Sequence, residues 1–542
     1  MRLLIPIFLA FLLFALPVAA MAGVAGNCGT VIIPPGLAEG PGADVTSFNP
    51  LLITSVYNQE ASNLLFEPLL WINRFHEIDW SRSIARSVTV QDNGQVYQIQ
   101  LRHWLWSDGV PVTAADVVYT FGLIKAYGTA YTGYGAGGMP DLFKSVVADD
   151  ATHLTVTLIK PVNPEWFELN GLSQLIPLPE HVWGKFTPDE IWQGQSRPGF
   201  FRVVDGPLKI AKLVSGVDAQ FVPNPNYGGA PMHFSRFIMK FEDSEGQELQ
   251  AVQSRDLDAS NIPFDLYDHA SRLPGDRVVV MPPSFSWEEL VPNLANPATR
   301  FFADVRVRQA MADAINQKEM IALAMAGHGE SVRGPVPPVP PVFLSPAAKA
   351  GQSPVGYNPA KAQALLRAAG FAPGPDGILQ KDGVRFSFTL LIPAGQPLRI
   401  EMAEAMQQNF RAVGIEMRAR QVEFNEILTE MVNEPDNWQA ILIGEDLSAY
   451  PTGEGLFKTG AFYNNNGYSS AKMDQLITQS TDAPGRDGLY AYEDYATAQQ
   501  PVIFLPNPQY SLLVRKDLWG LRDFINPLGD WAPEKLYCTG QG

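Results

Sequence analysis

Cysteine is scarce in this 542-residue chain: Cys28 and Cys538 are the only two, one near each end, so a single disulfide is the most the chain can form within itself. Positive charge is also short, with 39 Lys and Arg against 56 Asp and Glu and a formal net charge of −17. Such an excess opposes binding to nucleic acid or anionic lipid. The seven histidines are scattered; His76-Glu77 has no second histidine at zinc-binding spacing, and no H-E-x-x-H occurs. The G-x-S-x-G nucleophile elbow is missing as well. Past the N-terminus, charges, prolines or glycines interrupt every apolar stretch within about 10 to 12 residues, whereas a bilayer-spanning helix needs roughly 20. No repeat period, charge block or low-complexity tract is present. No familiar catalytic constellation survives these absences, and the expected protein is a non-enzyme without cofactor or metal.

What is present begins with a secretory signal. Arg2 is followed by the apolar run Leu3 to Phe14 and by small residues ending Ala20-Met21-Ala22, which predicts cleavage after Ala22 and export. Asn27 precedes Cys28 where a lipidated cysteine would follow Gly or Ala, which argues against a lipid anchor. An exported pair of thiols meets oxidants, so Cys28 and Cys538 can join if the chain ends lie together; two buried free thiols are the alternative. Roughly 520 mature residues exceed one core and imply two or three domains.

Periodicity along the chain describes a mixed α/β globule. Alternation predicts strands at residues 30–33, 96–101, 153–159, 277–280, 386–392, 439–443, 501–505 and 510–515, with two more between 200 and 222. Helical patterns fall at 59–70, from Thr113 as N-cap through 125, and at 245–257, 304–325, 359–369 and 399–413. Residues 334–341 hold five prolines and predict a loop, since proline lacks the donor that helices and sheets need. Pro282-Pro283 marks a plausible domain crossing.

Two motifs carry weaker signals. Residues 133–138 match G-x-G-x-x-G, but no strand precedes them and Met139-Pro140 follows, so a glycine loop is the better reading than a phosphate cradle. Of the acidic pairs, Asp149-Asp150 and Glu288-Glu289 read as solvated surface. Glu445-Asp446 follows an apolar strand, at the kind of strand end where α/β clefts form.

Three segments together resemble a known family: Leu65-Phe66-Glu67-Pro68-Leu69-Leu70, Tyr97-Gln98-Ile99-Gln100-Leu101-Arg102, and above all Trp106-Ser107-Asp108-Gly109-Val110-Pro111-Val112-Thr113-Ala114-Ala115-Asp116-Val117-Val118. With Phe302 to Ala310 and Leu365 to Phe371 following in order, the chain resembles the family 5 solute-binding proteins that serve ABC importers of peptides and nickel. The resemblance implies a two-lobed periplasmic-binding-protein fold, type II-like, with a small extra α/β domain inserted in lobe one. The expected layout is signal peptide 1–22, lobe one 23–46, inserted domain 47–172, lobe one again 173–281, lobe two 282–500 and lobe one 501–542. Both termini would then share lobe one, bringing Cys28 and Cys538 into reach. The implied protein is a periplasmic monomer that takes a small ligand and passes it to membrane permease subunits; a secreted hydrolase is the rival from another class.

The resemblance also suggests ligand contacts, and a departure. In peptide-binding relatives an aspartate in a G-W-x-x-D-Y segment holds the ligand's amino terminus. Here Ser448 stands in its place and Glu445 in place of the tryptophan, with Tyr450 nearby. A serine cannot offset an ammonium charge taken from water, a cost of several kcal/mol when unpaired. Asp446 or Glu445 would have to act from a shifted register, or the ligand would be another cation or a neutral oligosaccharide; short peptides are the favoured reading. On the facing lobe Thr54, Ser55, Val56 and Tyr57 align with the stretch that relatives lay along the ligand backbone. Trp287 would supply an aromatic wall or pack in the core. Arg399 would face a ligand carboxylate or simply be solvated.

Overall fold

The computed structural model describes residues 25–37, 45–53, 55–242, 244–270, 272–273 and 276–539. The expected signal peptide and Thr54 lie outside them.

Lobe one is built from three separate stretches of chain. Thr30–Ile33 runs parallel to Arg236–Lys240, and Asp218–Pro223 and Leu208–Val214 extend the sheet antiparallel. A second sheet sets Ser511–Arg515 between Ala259–Asn261 and Asp276–Val280. The C-terminal strand Tyr537–Thr539 pairs with Ala25–Gly26, and Cys28 and Cys538 form a disulfide with their Cα atoms 5.0 Å apart.

The inserted domain carries an antiparallel sheet ordered Ala85–Gln91, Val96–Leu101, His153–Leu158, Phe143–Ala148. Its helix Ala114–Tyr127 starts as the sequence predicts, with the Thr113 backbone N–H donating to the Asp116 carboxylate at 2.8 Å. A buried ion pair within the domain, Arg82 with Glu67, is hydrogen-bonded to lobe one through Trp531 and Tyr227. Arg82 donates through Nε to Glu67 at 2.9 Å and through Nη2 to the Trp531 carbonyl at 3.1 Å, while the Tyr227 hydroxyl completes Glu67 at 2.9 Å.

Lobe two is a five-stranded sheet ordered Glu416–Val422, Ser387–Pro393, Ala440–Asp446, Ser286–Pro292, Ile503–Leu505. The first three strands are parallel, and Ser286–Pro292 runs against both its neighbours. Two segments cross between lobes, 281–285 and 506–510. Asn507 and Gln509 tie them together: the Asn507 amide donates to the Ser284 carbonyl at 2.7 Å and the Gln509 amide to the Met281 carbonyl at 2.9 Å. Because Ile503–Leu505 pairs with 288–290, the second crossing falls beyond Leu505, a few residues later than the boundary read at 500.

Three predicted elements differ. The 304–325 helix is two, Val305–Ala314 and Gln317–Ala324, because the Asn316 side chain caps the second by accepting from the Glu319 N–H. The 59–70 helix is Val56–Asn63 instead; beyond it the Leu64 and Leu65 carbonyls accept from Leu208 and Gly206, so tertiary pairing draws the chain out. The strand read as ending at Ile443 continues through Asp446, carrying the acidic pair into the sheet.

The disulfide closes a loop of 510 residues. Cys28→Ser with Cys538→Ser should lower stability by about 2–4 kcal/mol, since the bridge restricts the unfolded chain. Urea unfolding of the two forms measures this, and identical midpoints would contradict it.

Candidate functional site

The carboxyl ends of the parallel lobe-two strands, with the amino end of Ser286–Pro292 beside them, face lobe one and the inserted domain, the position where α/β sheets place ligands. Two cavities open there. The larger, about 660 Å³, lies between Tyr57 of the inserted domain, Glu245, Asp265 and Tyr510 of lobe one, and Glu288, Arg399 and Glu401 of lobe two. The smaller, about 490 Å³, is walled by Gln59, Trp71, Tyr131 and Asp530 on one side and by Asp446 and Ser448 on the other. Each falls in the range that holds a small organic ligand.

Strand register explains the floor. Ser286 pairs with Asp446, Trp287 with Glu445 and Glu288 with Gly444. Alternation therefore puts Asp446 and Glu288 on one face and Trp287, Glu289 and Glu445 on the other. On the first face Arg399 makes a two-pronged ion pair with Glu288, Nε to Oε2 at 2.7 Å and Nη2 to Oε1 at 2.9 Å. Asp446 opens onto the smaller cavity, where the surrounding protein displaces part of its hydration; that desolvation, then Glu288, raises its pKa against the pull of Arg399. On the second face Trp287 donates to Glu289 at 2.8 Å. Burial, then Glu289 and Asp446, push Glu445 well above the ordinary range.

The sequence-derived candidates separate into two groups. Tyr57, Arg399, Asp446 and Ser448 line the cavities, and Glu445 lies beside Asp446 on the reverse face. Ser55 instead caps the helix that begins at Val56, accepting from the Asn58 N–H at 3.3 Å. Trp287 is a core residue, 1 % exposed with its ring edge-on to Phe504. Tyr450 is also buried, its ring against Phe343. Arg399 is committed to Glu288 rather than free for a ligand carboxylate. Glu288-Glu289 corrects the solvated reading: each is 6 % exposed, because the pair lies inside a central strand. Gln59, Tyr131, Asp265, Glu401 and Asp530 were not foreseen, since nothing local distinguishes them from ordinary surface polar residues. Among the described residues no group of three or more His, Cys, Asp or Glu could hold a metal ion.

The glycine loop at 133–138 borders the smaller cavity. Gly137 has φ +57°, and a Cβ there would stand 2.3 Å from the Asn170 carbonyl oxygen, so the glycines serve close packing.

The geometry matches a known group of proteins. A model for bacterial extracellular solute-binding proteins, family 5 (middle region), fits residues 79–470. This chain belongs to that family. The oligopeptide-binding protein AppA of Bacillus subtilis is 25 % identical over 506 residues, 90 % of this chain and 88 % of that protein. Protein XP55 of Streptomyces lividans is 25 % identical over 487 residues, 89 % and 84 % of the two chains. Among solved structures, AppA of B. subtilis with a nonapeptide superposes with a TM-score of 0.74 at 22 % identity, over 95 % of this chain and all of that one. NikA of Brucella suis with Fe(III)-EDTA gives 0.77 at 19 % identity, over 94 % and 99 %. The fold is thus the two-lobed binding-protein fold that the sequence implied.

In this family 5 solute-binding protein the inserted domain also touches lobe two across the cleft. The Asn170 amide pairs with both backbone groups of Tyr450, accepting from its N–H at 2.8 Å and donating to its carbonyl at 2.9 Å. Asn163 Nδ2 donates to the Ser480 carbonyl at 3.0 Å and the Gly485 carbonyl at 2.9 Å. Arg486 Nε reaches Glu165 at 2.9 Å, and Lys160 reaches Asp482 at 2.7 Å. His76 completes the set: its Nδ1 donates to the Ala449 carbonyl at 2.9 Å, its ring lies 4.1 Å from Phe285, and burial holds its pKa down at about 4. Replacing Asn163 and Asn170 together by Ala should open the ligand-free protein, with a larger radius of gyration in X-ray scattering. An unchanged radius would show that these bonds do not hold the lobes.

Burial also pushes Glu67, Glu168, Glu289, Glu454 and Glu493 up to about 7 from 4.5. Between those values the folded chain holds more protons at these groups than the unfolded chain does, so stability falls as pH rises. His76 acts oppositely as pH falls below 6.5, but it is one group against five. The depressed carboxyls of Asp150 and Glu416, at about 2, lose their contribution mainly below this window. The melting temperature should be higher at pH about 5.5 than at about 7.5; the reverse order would reject this assignment.

Proposed function

We propose that this protein is the capture component of an ABC importer for short peptides, exported by residues 1–22 to the periplasm and working there as a monomer. The observation that carries this is the interlobe cavity with Asp446 exposed at a strand end. The aspartate stands two positions before Ser448, so a carboxylate remains available to a ligand ammonium group although the expected position is neutral. AppA of B. subtilis, which resembles this chain over most of its length, has been solved with a nonapeptide in place, and this supports a peptide as the guest. A carrier needs a closable cavity and no reacting group, which accords with the missing catalytic motifs. Ligand binding would favour the closed arrangement through contacts to both lobes at once, and the permease would read that shape.

Native mass spectrometry of protein taken from the periplasm should show a co-purified peptide. Asp446→Asn should weaken peptide binding by about 10- to 100-fold, the value of a hydrogen bond to a charged group. Protein that is repeatedly ligand-free and shows no thermal shift with peptides would overturn the reading, as would turnover of a peptide substrate.

A further inference from the structure

The charges around the two cavities are heavily one-sided. Glu245, Asp265, Glu288 and Glu401 line the larger cavity, and Asp446 and Asp530 the smaller. Among the described lining residues the only cationic side chain is Arg399, and Glu288 already grips it with both carboxylate oxygens. Five lining carboxylates therefore lack a matching lining cation. Their crowding shows in their protonation: burial and Asp265 raise Glu245, burial and then Asp265 and Glu404 raise Glu401, and burial and Glu288 raise Asp446. A further sign of a polar occupant is Ser62, which lines the smaller cavity at 2 % exposure with no partner for its hydroxyl among the described residues.

A neutral peptide would leave this repulsion in place as the lobes shut and water leaves. An acidic peptide would add to it, and its carboxylates would have to compete with Glu288 for Arg399. A guest carrying several positive charges would relieve it. Side chains of Lys or Arg fit best, because their long stems can place a charge in one cavity while the peptide's ammonium group meets Asp446 near the other.

We infer that the cleft selects cationic solutes, specifically short peptides bearing Lys or Arg side chains in addition to a free amino terminus. This rests on the peptide reading above but is separable from it. Discrimination of this kind comes as much from repulsion of the wrong guest as from attraction of the right one.

Calorimetric titration of ligand-free protein tests it with five probes: pentapeptides of alanine alone, with two lysines, and with two glutamates, together with spermine and maltotriose. The lysine peptide should bind at least about 10-fold more tightly than the alanine peptide and the glutamate peptide least, with the gaps narrowing as salt screens the charges. In the Asp265→Asn, Glu401→Gln double variant the lysine-to-alanine ratio should fall several-fold. Glu401 is exposed, so a circular dichroism spectrum suffices to show that the variant is folded. Alanine or glutamate peptides binding as tightly as the lysine peptide would overturn the charge inference and leave the peptide reading standing. Spermine binding with every peptide refused would support the charge inference and overturn the peptide reading. Binding of maltotriose alone, or of none of the five, would overturn both.

Discussion

The antiparallel pairing of Ser286–Pro292 with Ala440–Asp446 is the constraint on which the site depends. One strand leaves the first crossing directly, and the other ends at the cleft, so their register decides which side chains form its floor. Side chains alternate with period two, and a slip of Ser286–Pro292 by one residue would put Glu289 in place of Glu288 on the face that carries Asp446. It would also turn Trp287 out of the core and separate Glu288 from Arg399. Apolar packing therefore fixes the position of the charges: Leu290 and Leu442 face one buried cluster and Trp287, Val291 and Ile441 the other, leaving little freedom for any other alignment.

The contacts around the cleft differ in kind according to whether they must last. Lobe one and the inserted domain share a buried network of Arg82, Glu67 and Tyr227, with the Arg82 guanidinium 3.4 Å from the centre of the Trp71 ring. Breaking such a buried pair strands a charge away from water, which is strongly unfavourable. Across the cleft the bonds are mostly amides of Asn163 and Asn170 and the partly exposed pairs Arg486–Glu165 and Lys160–Asp482. Water can replace these partners when the lobes separate, so each bond contributes little net stability. A firm unit on one side and an exchangeable contact on the other suit two arrangements close in free energy, which is what a ligand needs if its differential binding is to shift them.

The fold was legible in the sequence where a pattern was local. The alternation at 96–101, the Thr113 and Asp116 spacing and the glycines at 370 and 414 each report a contact within a few residues, and the structure has strand, cap and helix ends there. Paired chain ends and two lobes came from the family resemblance, because no periodicity reports which distant strands meet. The site was half legible. Asp446 showed itself by following an apolar strand, whereas Asp265, Glu401 and Asp530 come from three separate segments and become a site only when the chain folds. Glu288 misled, and Trp287 stayed open between cleft wall and core, for a related reason: a charged pair looks solvated until a helix brings Arg399 to it, and an aromatic is placed only when a neighbouring strand lays Phe504 against it.

The acidity of the cleft bears on closure as well as on choice of guest. In an open arrangement water solvates each lining carboxylate, and their repulsion is weak. Closing removes that water and brings the carboxylates of both lobes around one space, which raises the free energy of the empty closed form. A cationic guest reverses the sign of this term, because each of its charges meets a carboxylate whose solvation closure has reduced. The same residues would then favour the open form when empty and the shut form when filled. Selectivity and the signal of occupancy would follow from one charge distribution, set by the register of two strands.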